Sequence, residues 1–266
     1  MRFTATIFLL LAISISQCSP ASAIGQAANQ TGLDSRAEAE RLWELMIAAK
    51  GGRERLHSVD NLLMSSHEKY WWEFRILTIN YEGLFVFPKK SWEWDDQRGS
   101  VFGFSIHVHN FESNIHQSYV DSGKGGSVVP ILQPSLRNLT KLQLHLLAET
   151  QWVKPQPVSA RVGKESGRDA DIVETHVNEL PAGEQKVDFV LDRRSHLPVR
   201  VIYYWTIKGR ELSGGVELKD YLEVSGIKIP GKVGRVRAKY ELNVPYDARV
   251  FDLPPSRDKG MAAWKK

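Results

Sequence analysis

The chain has 266 residues, with 35 Lys and Arg against 31 Asp and Glu, for a formal net charge of +4. An excess this small, scattered among acids, excludes the concentrated basic stripe of a nucleic-acid binder. The one cysteine, Cys18, stands near the N-terminus, which leaves the body of the chain without a disulfide, a thiolate nucleophile or a cysteine metal site.

Met1-Arg2-Phe3 carries the only early charge, Ile7 to Ile15 form an apolar run, and Ala21-Ser22-Ala23 offers a small-x-small cleavage pattern. Residues 1–23 are therefore read as an export signal, and the mature protein as soluble, monomeric and periplasmic. The apolar run is too short to span a bilayer, which takes roughly 20 residues. Ile15-Ser16-Gln17 lacks the small residue expected before a lipidated cysteine, which weighs against an anchor at Cys18. Loss of Arg2 with the signal takes the formal charge from +4 to +3. The remaining chain of about 240 residues suits one large core. Residues 24–34 read as a flexible leader, 35–255 as a single domain and 256–266 as a polar tail.

Ser35 and Glu38 have capping-box spacing, in which each side chain satisfies a free backbone N–H, so a helix is expected to start there. Leu42, Leu45, Met46 and Ala49 follow at helical intervals. Gly51-Gly52 stops the helix, because glycine enters the left-handed region at little cost. A short helical turn from Arg53 to Val59 is expected next.

From Asn61 the period changes to two. Leu77, Ile79, Tyr81, Phe85 and Phe87 share one face of an extended segment, opposite Ile76, Thr78, Asn80 and Glu82. Phe102, Phe104, Ile106 and Val108 repeat the pattern, as do Val187, Phe189 and Leu191, then Leu197, Val199, Val201, Tyr203 and Trp205, and last Val236, Ala238, Tyr240 and Leu242. Asp192 to His196 and Ser213-Gly214-Gly215 read as hairpin connections, which favours consecutive antiparallel strands. Between these runs, Leu132 to Thr150 carries a leucine stripe at Leu132, Leu136, Leu139, Leu142 and Leu146, with Arg137, Lys141, His145 and Glu149 on the other side. This is an amphipathic helix preceded by a glycine-rich hinge at Ser122 to Ser127. The expected fold is mainly β: a curved antiparallel sheet or incomplete β-barrel, with an N-terminal helix and a mid-chain helix as a lid over an apolar concave face.

No Gly-x-Ser-x-Gly, phosphate-binding loop, dinucleotide fingerprint or zinc-protease helix occurs, so neither catalysis nor a cofactor is implied. His107 and His109, two apart on a strand with His116 near, have spacing that a metal accepts; the plainer reading makes them solvent-facing, and no metal is assigned. Glu93, Asp95 and Asp96 beside Trp92 and Trp94 resemble a sugar site, yet with Gln97-Arg98-Gly99 they read better as a turn. Lys228, Lys232, Arg235, Arg237 and Lys239 form a basic row, either a solvated sheet face or a contact for anionic lipid or a partner protein.

Trp71, Trp72, Phe74, Tyr81, Phe85, Phe87, Trp92, Trp94, Phe102 and Phe104 crowd one short region. They either pack as a core or line an apolar pocket roofed by the leucine helix. On the pocket reading, the lining side chains are Leu77, Ile79, Tyr81, Phe85, Phe87, Trp92, Trp94, Phe102, Phe104, Leu136, Leu139, Leu142, Leu146, Tyr203 and Trp205. An acyl chain of a dozen methylenes would bind there with about 0.8 kcal/mol per methylene before ordering costs.

Gly83-Leu-Phe-Val-Phe-Pro88 running into Trp92-Glu-Trp94 resembles the strand-turn-strand signature of the periplasmic outer-membrane lipoprotein carrier and sorting (LolA/LolB-like) family. Asp192 to Tyr204, Asp220-Tyr221 through Gly226 to Pro230, Val250-Phe251 with Pro254-Pro255, and Ala48 to Gly52 are similar to further family segments. The resemblance implies an incomplete barrel with helical lids, binding lipoprotein acyl chains or other lipids without catalysis and exchanging them with an inner-membrane transporter or other envelope protein. It gives Leu136, Leu139, Leu142 and Leu146 a lid role. Family carriers place a lid-latching arginine before the turn proline, where this chain has Phe87, so the regulated lid cycle does not transfer. Two other functions stay open: an interaction or sensor protein of the same fold using Arg235 and Arg237, and a sugar-binding or hydrolytic protein centred on Trp92 and Trp94.

Overall fold

The computed structural model describes residues 32–72, 75–97, 103–123, 125–131, 136–179 and 183–265. Helices α1 (Gly32–Lys50) and α2 (Arg53–His57) precede six strands: β1 (Asn61–Trp72), β2 (Arg75–Val86), β3 (Lys90–Gln97), β4 (Gly103–Asn110), β5 (Ile115–Asp121) and β6 (Gly126–Pro130). Helix α3 (Leu136–Leu146) then leads to β7 (Gln156–Glu165), β8 (Arg168–Glu179), β9 (Gly183–Asp192), β10 (Pro198–Ile207), β11 (Arg210–Val224), β12 (Ile227–Val233) and β13 (Val236–Leu242).

All thirteen strands form one curved, unclosed antiparallel sheet in the order β6-β5-β4-β3-β2-β1-β13-β12-β11-β10-β9-β8-β7. Two meanders, β1 to β6 and β7 to β13, meet where β1 pairs with β13, with Leu62 opposite Leu242 and Met64 opposite Tyr240. The two edge strands, β6 and β7, are consecutive in the chain. In a flat sheet they would lie about 58 Å apart at about 4.8 Å per strand. The connection from Pro130 to Gln156, which contains α3, therefore has to cross one face of the sheet.

That inner face holds the main core. Leu42, Trp43, Met46 and Ile47 of α1 pack with Val173, Phe189, Val201, Ile229 and Tyr240 from the sheet. Each such side chain contributes about 1.5–3 kcal/mol when fully buried. The Trp43 ring meets Phe189 edge-on at 5.0 Å. Gly51 takes φ +125°, and a Cβ there would stand 2.3 Å from the Gly226 carbonyl, so only glycine lets the chain turn against β12.

Helix α1 begins at Gly32, inside the predicted leader, so Ser35 lies within it and caps nothing. Its Oγ instead donates to Ala160 O at 3.2 Å and accepts from Ala160 N at 3.1 Å. A helix side chain thus occupies backbone groups of an edge strand, one way of blunting such edges. Ser213-Gly214-Gly215 lies inside β11 and makes no hairpin, because the Trp205 ring fills the space above Gly214. The turn falls at Lys208-Gly209. The supposed hinge at Ser122 to Ser127 is the β5–β6 connection and the start of β6. Asp95 and Asp96 continue β3 and form no turn. The hairpin at Asp192 to His196 is as expected, with Asp192 Oδ1 accepting from Arg194 N and Ser195 N.

The outer face of β2 to β4 carries a second core: Leu84, Trp92, Trp94, Ile106 and Val108 under Val250, Phe251 and Trp264. The last residues, expected as a polar tail, are therefore packed. Trp92 Nε1 donates to Lys259 O at 3.0 Å, and Ala262 N donates to Glu82 Oε2 at 2.8 Å.

Candidate functional site

The pleat divides the predicted pocket residues between the two faces. Tyr81, Phe85, Phe87, Leu139, Leu146 and Tyr203 share the inner cluster, with Leu142 packed against it. Leu77 and Ile79 lie on the same side of β2, buried and half-buried. Trp205 follows Tyr203 on β10, half-buried, its ring over Gly214. Trp92, Trp94 and Phe104 point the other way, because Trp92 pairs with Leu84, Trp94 with Glu82, and Asp96 with Phe104. They belong to the outer core and do not line the inner face. Phe102 and the side chain of Leu136 lie outside the described residues.

Helix α3 lies against this face. Leu139, Leu144, Leu146 and Leu147 are buried, and so are Gln143, His145, Glu149 and Thr150, which the sequence pattern placed among solvated positions or left unread. The His145 ring meets Tyr203 edge-on at 5.2 Å, and burial pulls its pKa down to about 3. The helix is tied at its C-terminal end. Lys50, fully buried, donates from Nζ to Leu146 O at 3.0 Å and to Lys228 O at 2.9 Å, above the Tyr221 ring. Burial takes its pKa down to about 7. Glu149 accepts from Arg53, from Trp43 Nε1 at 3.2 Å and pairs with His57 Nε2 at 2.8 Å. Neither Lys50 nor Glu149 was singled out from the sequence as a buried tie. Lys50 falls four residues after Met46 and three after Ile47, so a lysine in phase with the apolar stripe was the available signal.

Beyond Tyr81 and Phe85 the inner face turns polar. Ser91, Glu93 and Asp95 of β3 lie opposite His109, His107 and Ser105 of β4, and His109 and His107 lie opposite His116 and Ser118 of β5. Tyr81 Oη donates to Glu93 Oε2 at 3.0 Å. The two nitrogens of His107 contact Ser118 Oγ at 2.6 Å and Ser105 Oγ at 3.1 Å. His109 stacks on Phe111 and lies 5.5 Å from the His116 ring. These histidines are not solvent-facing; they share the inner side with Phe85, while Phe104 and Val108 occupy the outer one. Burial raises Glu93 to about 7 and Asp95 to about 6, and lowers His107 to about 4 and His109 to about 3. At neutral pH the imidazoles are uncharged. Among the described residues, no group of three or more His, Cys, Asp or Glu converges as a metal site would.

The pleat divides the residues of the sugar-site reading: Glu93 and Asp95 face inward, whereas Asp96 shares the outward side with Trp92 and Trp94. On the outer side a cleft of about 630 Å³ is lined by Trp94, Asp96, Phe104, Asp121, Arg257 and Met261 among others. In the basic row Lys228, Arg235, Arg237 and Lys239 are exposed and Lys232 is half-buried; Arg237 pairs with Asp220 at 3.0 Å.

No protein-family model and no curated protein matches the chain. Solved structures of similar fold include a DUF1329 family protein from Desulfovibrio piger, at 11% identity over 81% of this chain and 97% of that one, with a TM-score of 0.48. A LolA superfamily protein from Nitrosomonas europaea is 11% identical over 80% and 97%, with a TM-score of 0.46. A putative outer membrane lipoprotein-sorting protein domain from Vibrio parahaemolyticus is 12% identical over 80% and 97%, with a TM-score of 0.43.

Proposed function

We propose that this chain is a non-catalytic periplasmic carrier or binding protein for the acyl chains of lipoproteins or other lipids. The observation that carries the proposal is the path of the chain between the sheet edges. Joining β6 to β7 sends one short amphipathic helix across the inner face, and its leucines join α1 in covering the apolar side chains of that face. The ties from Lys50 and Glu149 hold the C-terminal end of this segment, so its N-terminal part can leave the sheet while the other end stays anchored. An acyl chain then replaces leucine side chains of the same character, at about 25 cal/mol for each Å² of apolar surface kept from water. On this reading Leu139, Leu142 and Leu146 occupy the place that an acyl chain takes when it binds.

The test is to purify the mature protein without detergent, extract it with organic solvent and analyse the extract by mass spectrometry. Acyl lipid in near-stoichiometric amount is expected. The reading falls if the extract is empty and the purified protein also fails to bind a fluorescent acyl probe. Leu139→Glu, which puts a charge under the lid, is expected to loosen α3 and to speed probe entry with the sheet intact.

A further inference from the structure

The polar border on β3 to β5 is unlike a solvated sheet face in three ways. It is largely covered: Ser91, Ser105, Ser118 and His116 are 3%, 4%, 4% and 7% exposed. It contains buried polar atoms that lack a partner, namely Asp95 Oδ1, His109 Nδ1 and His116 Nδ1. Among its described residues, this side of β3 to β6 carries no lysine or arginine. A buried donor or acceptor left unpaired is costly, so the orphan nitrogens of His109 and His116, whose rings lie 5.5 Å apart across β4 and β5, mark a place where a hydrogen-bonding group belongs. Glu93 and His109 keep 19% and 16% of their side chains exposed, which leaves the patch open to a ligand.

We propose that His109 and His116 receive the neutral, hydroxyl-bearing end of an acyl lipid such as an acylglycerol, while its chain lies along Phe85 and Tyr81. This rests on the acyl-binding reading above and adds which lipids are selected. Each imidazole offers an Nδ1 that donates or accepts according to its tautomer, so the patch matches a hydroxyl, which does both. A phosphate or carboxylate head would meet Glu93, 3.9 Å from His109, with no lysine or arginine among the described residues of this side to offset it. Burial that holds His109 uncharged at neutral pH supports the same choice, since it leaves the site without a positive charge for an anionic head.

The experiment is displacement of the uncharged methyl ester of dansyl-undecanoate from the mature protein by 1-palmitoylglycerol, methyl palmitate and palmitate. The wild type is expected to prefer 1-palmitoylglycerol. The double variant His109→Phe/His116→Leu should lose about tenfold in affinity for it, the worth of one to two hydrogen bonds, and bind methyl palmitate as before. Circular dichroism checks the fold, and His109→Gln alone serves if the double variant does not fold, with a smaller loss expected for the same ligand. Equal affinity of wild type and variant for 1-palmitoylglycerol overturns the head-group proposal and leaves the acyl-binding reading standing. Wild-type preference for palmitate overturns it too. If the probe never binds, it is the acyl-binding reading that fails.

Discussion

At the scale of single residues, Lys50 shows how a charge is accommodated in an apolar interior. Its ammonium has lost water entirely, and two backbone carbonyls, from α3 and β12, accept its protons in compensation. Lys50→Met keeps most of the stem's packing and leaves both carbonyls without a donor. A loss of about 2–4 kcal/mol is expected, at about 1–3 kcal/mol for each group so stranded; a lower urea midpoint at unchanged slope would show it. The stability is expected to return only partly with Lys50→Arg, whose planar fork does not fit two carbonyls facing a point charge. Residue identity alone does not reveal such a tie. Lysine is expected in solvent, and the partners of Lys50 lie 96 and 178 positions away. The stop beside it was legible, because Gly51 combines φ +125° with a backbone approach that any Cβ would block.

At the scale of elements, α3 combines an apolar stripe that the sequence displays with polar positions that it disguises. Leu139, Leu142 and Leu146 fall at helical intervals and reach the core as that spacing predicts. His145 lies on the opposite side of the helix and Glu149 just past its end at Leu146, yet both are buried, His145 against Tyr203 and Glu149 against Trp43 and Arg53. Nothing in a local period reports a second covering layer. His145 makes this testable, since burial holds its pKa near 3 in the folded state against an ordinary value of 6.5. Below 6.5 the unfolded chain binds a proton that the folded one refuses. The stability contributed by neutral His145 is thus present above pH 6.5 and lost as pH falls toward 3, by up to about 1.4 kcal/mol per pH unit. Lys141 on the same helix adds to the effect, and Tyr203 faces the ring. His145→Leu should remove this term. The difference in melting temperature between variant and wild type is therefore expected to widen in the variant's favour from pH 7 to pH 4.5, with the other buried histidines and acids cancelling in the comparison. A constant difference across that range would mean that His145 is protonated within the folded state.

For the whole molecule, one sheet has to be covered on both sides, and the two meanders solve this differently. The helices cover the inner face, whereas the outer face of β2 to β4 is covered by the chain's last residues. Alternation in β2, β9 and β13 announced strands with one buried side, and the antiparallel sheet with its two helices followed from them. The side on which each strand buries its rings did not follow, because a period of two fixes which residues share a face and leaves open which face is inner. Trp92 and Trp94 were assigned to the inner side for that reason, and no local signal showed that Trp264 would come back to cover them. The separation of the two cores has a measurable consequence. Trp264 is 8% exposed and packs with the outer core, while its Nε1 donates to Glu82 Oε2 at 3.3 Å. Trp264→Ala removes the ring that seals this side, at a cost of about 3 kcal/mol, and should free the terminal segment from β3 and β4. Tryptophan emission is then expected to shift to the red as Trp92 meets water, and the unfolding midpoint to fall. Acyl-probe affinity should stay within about twofold of wild type, since the variant leaves every residue of the inner face in place. A parallel collapse of probe binding in a variant that remains folded would show instead that the ligand sits on the outer side, against Trp94 and Phe104.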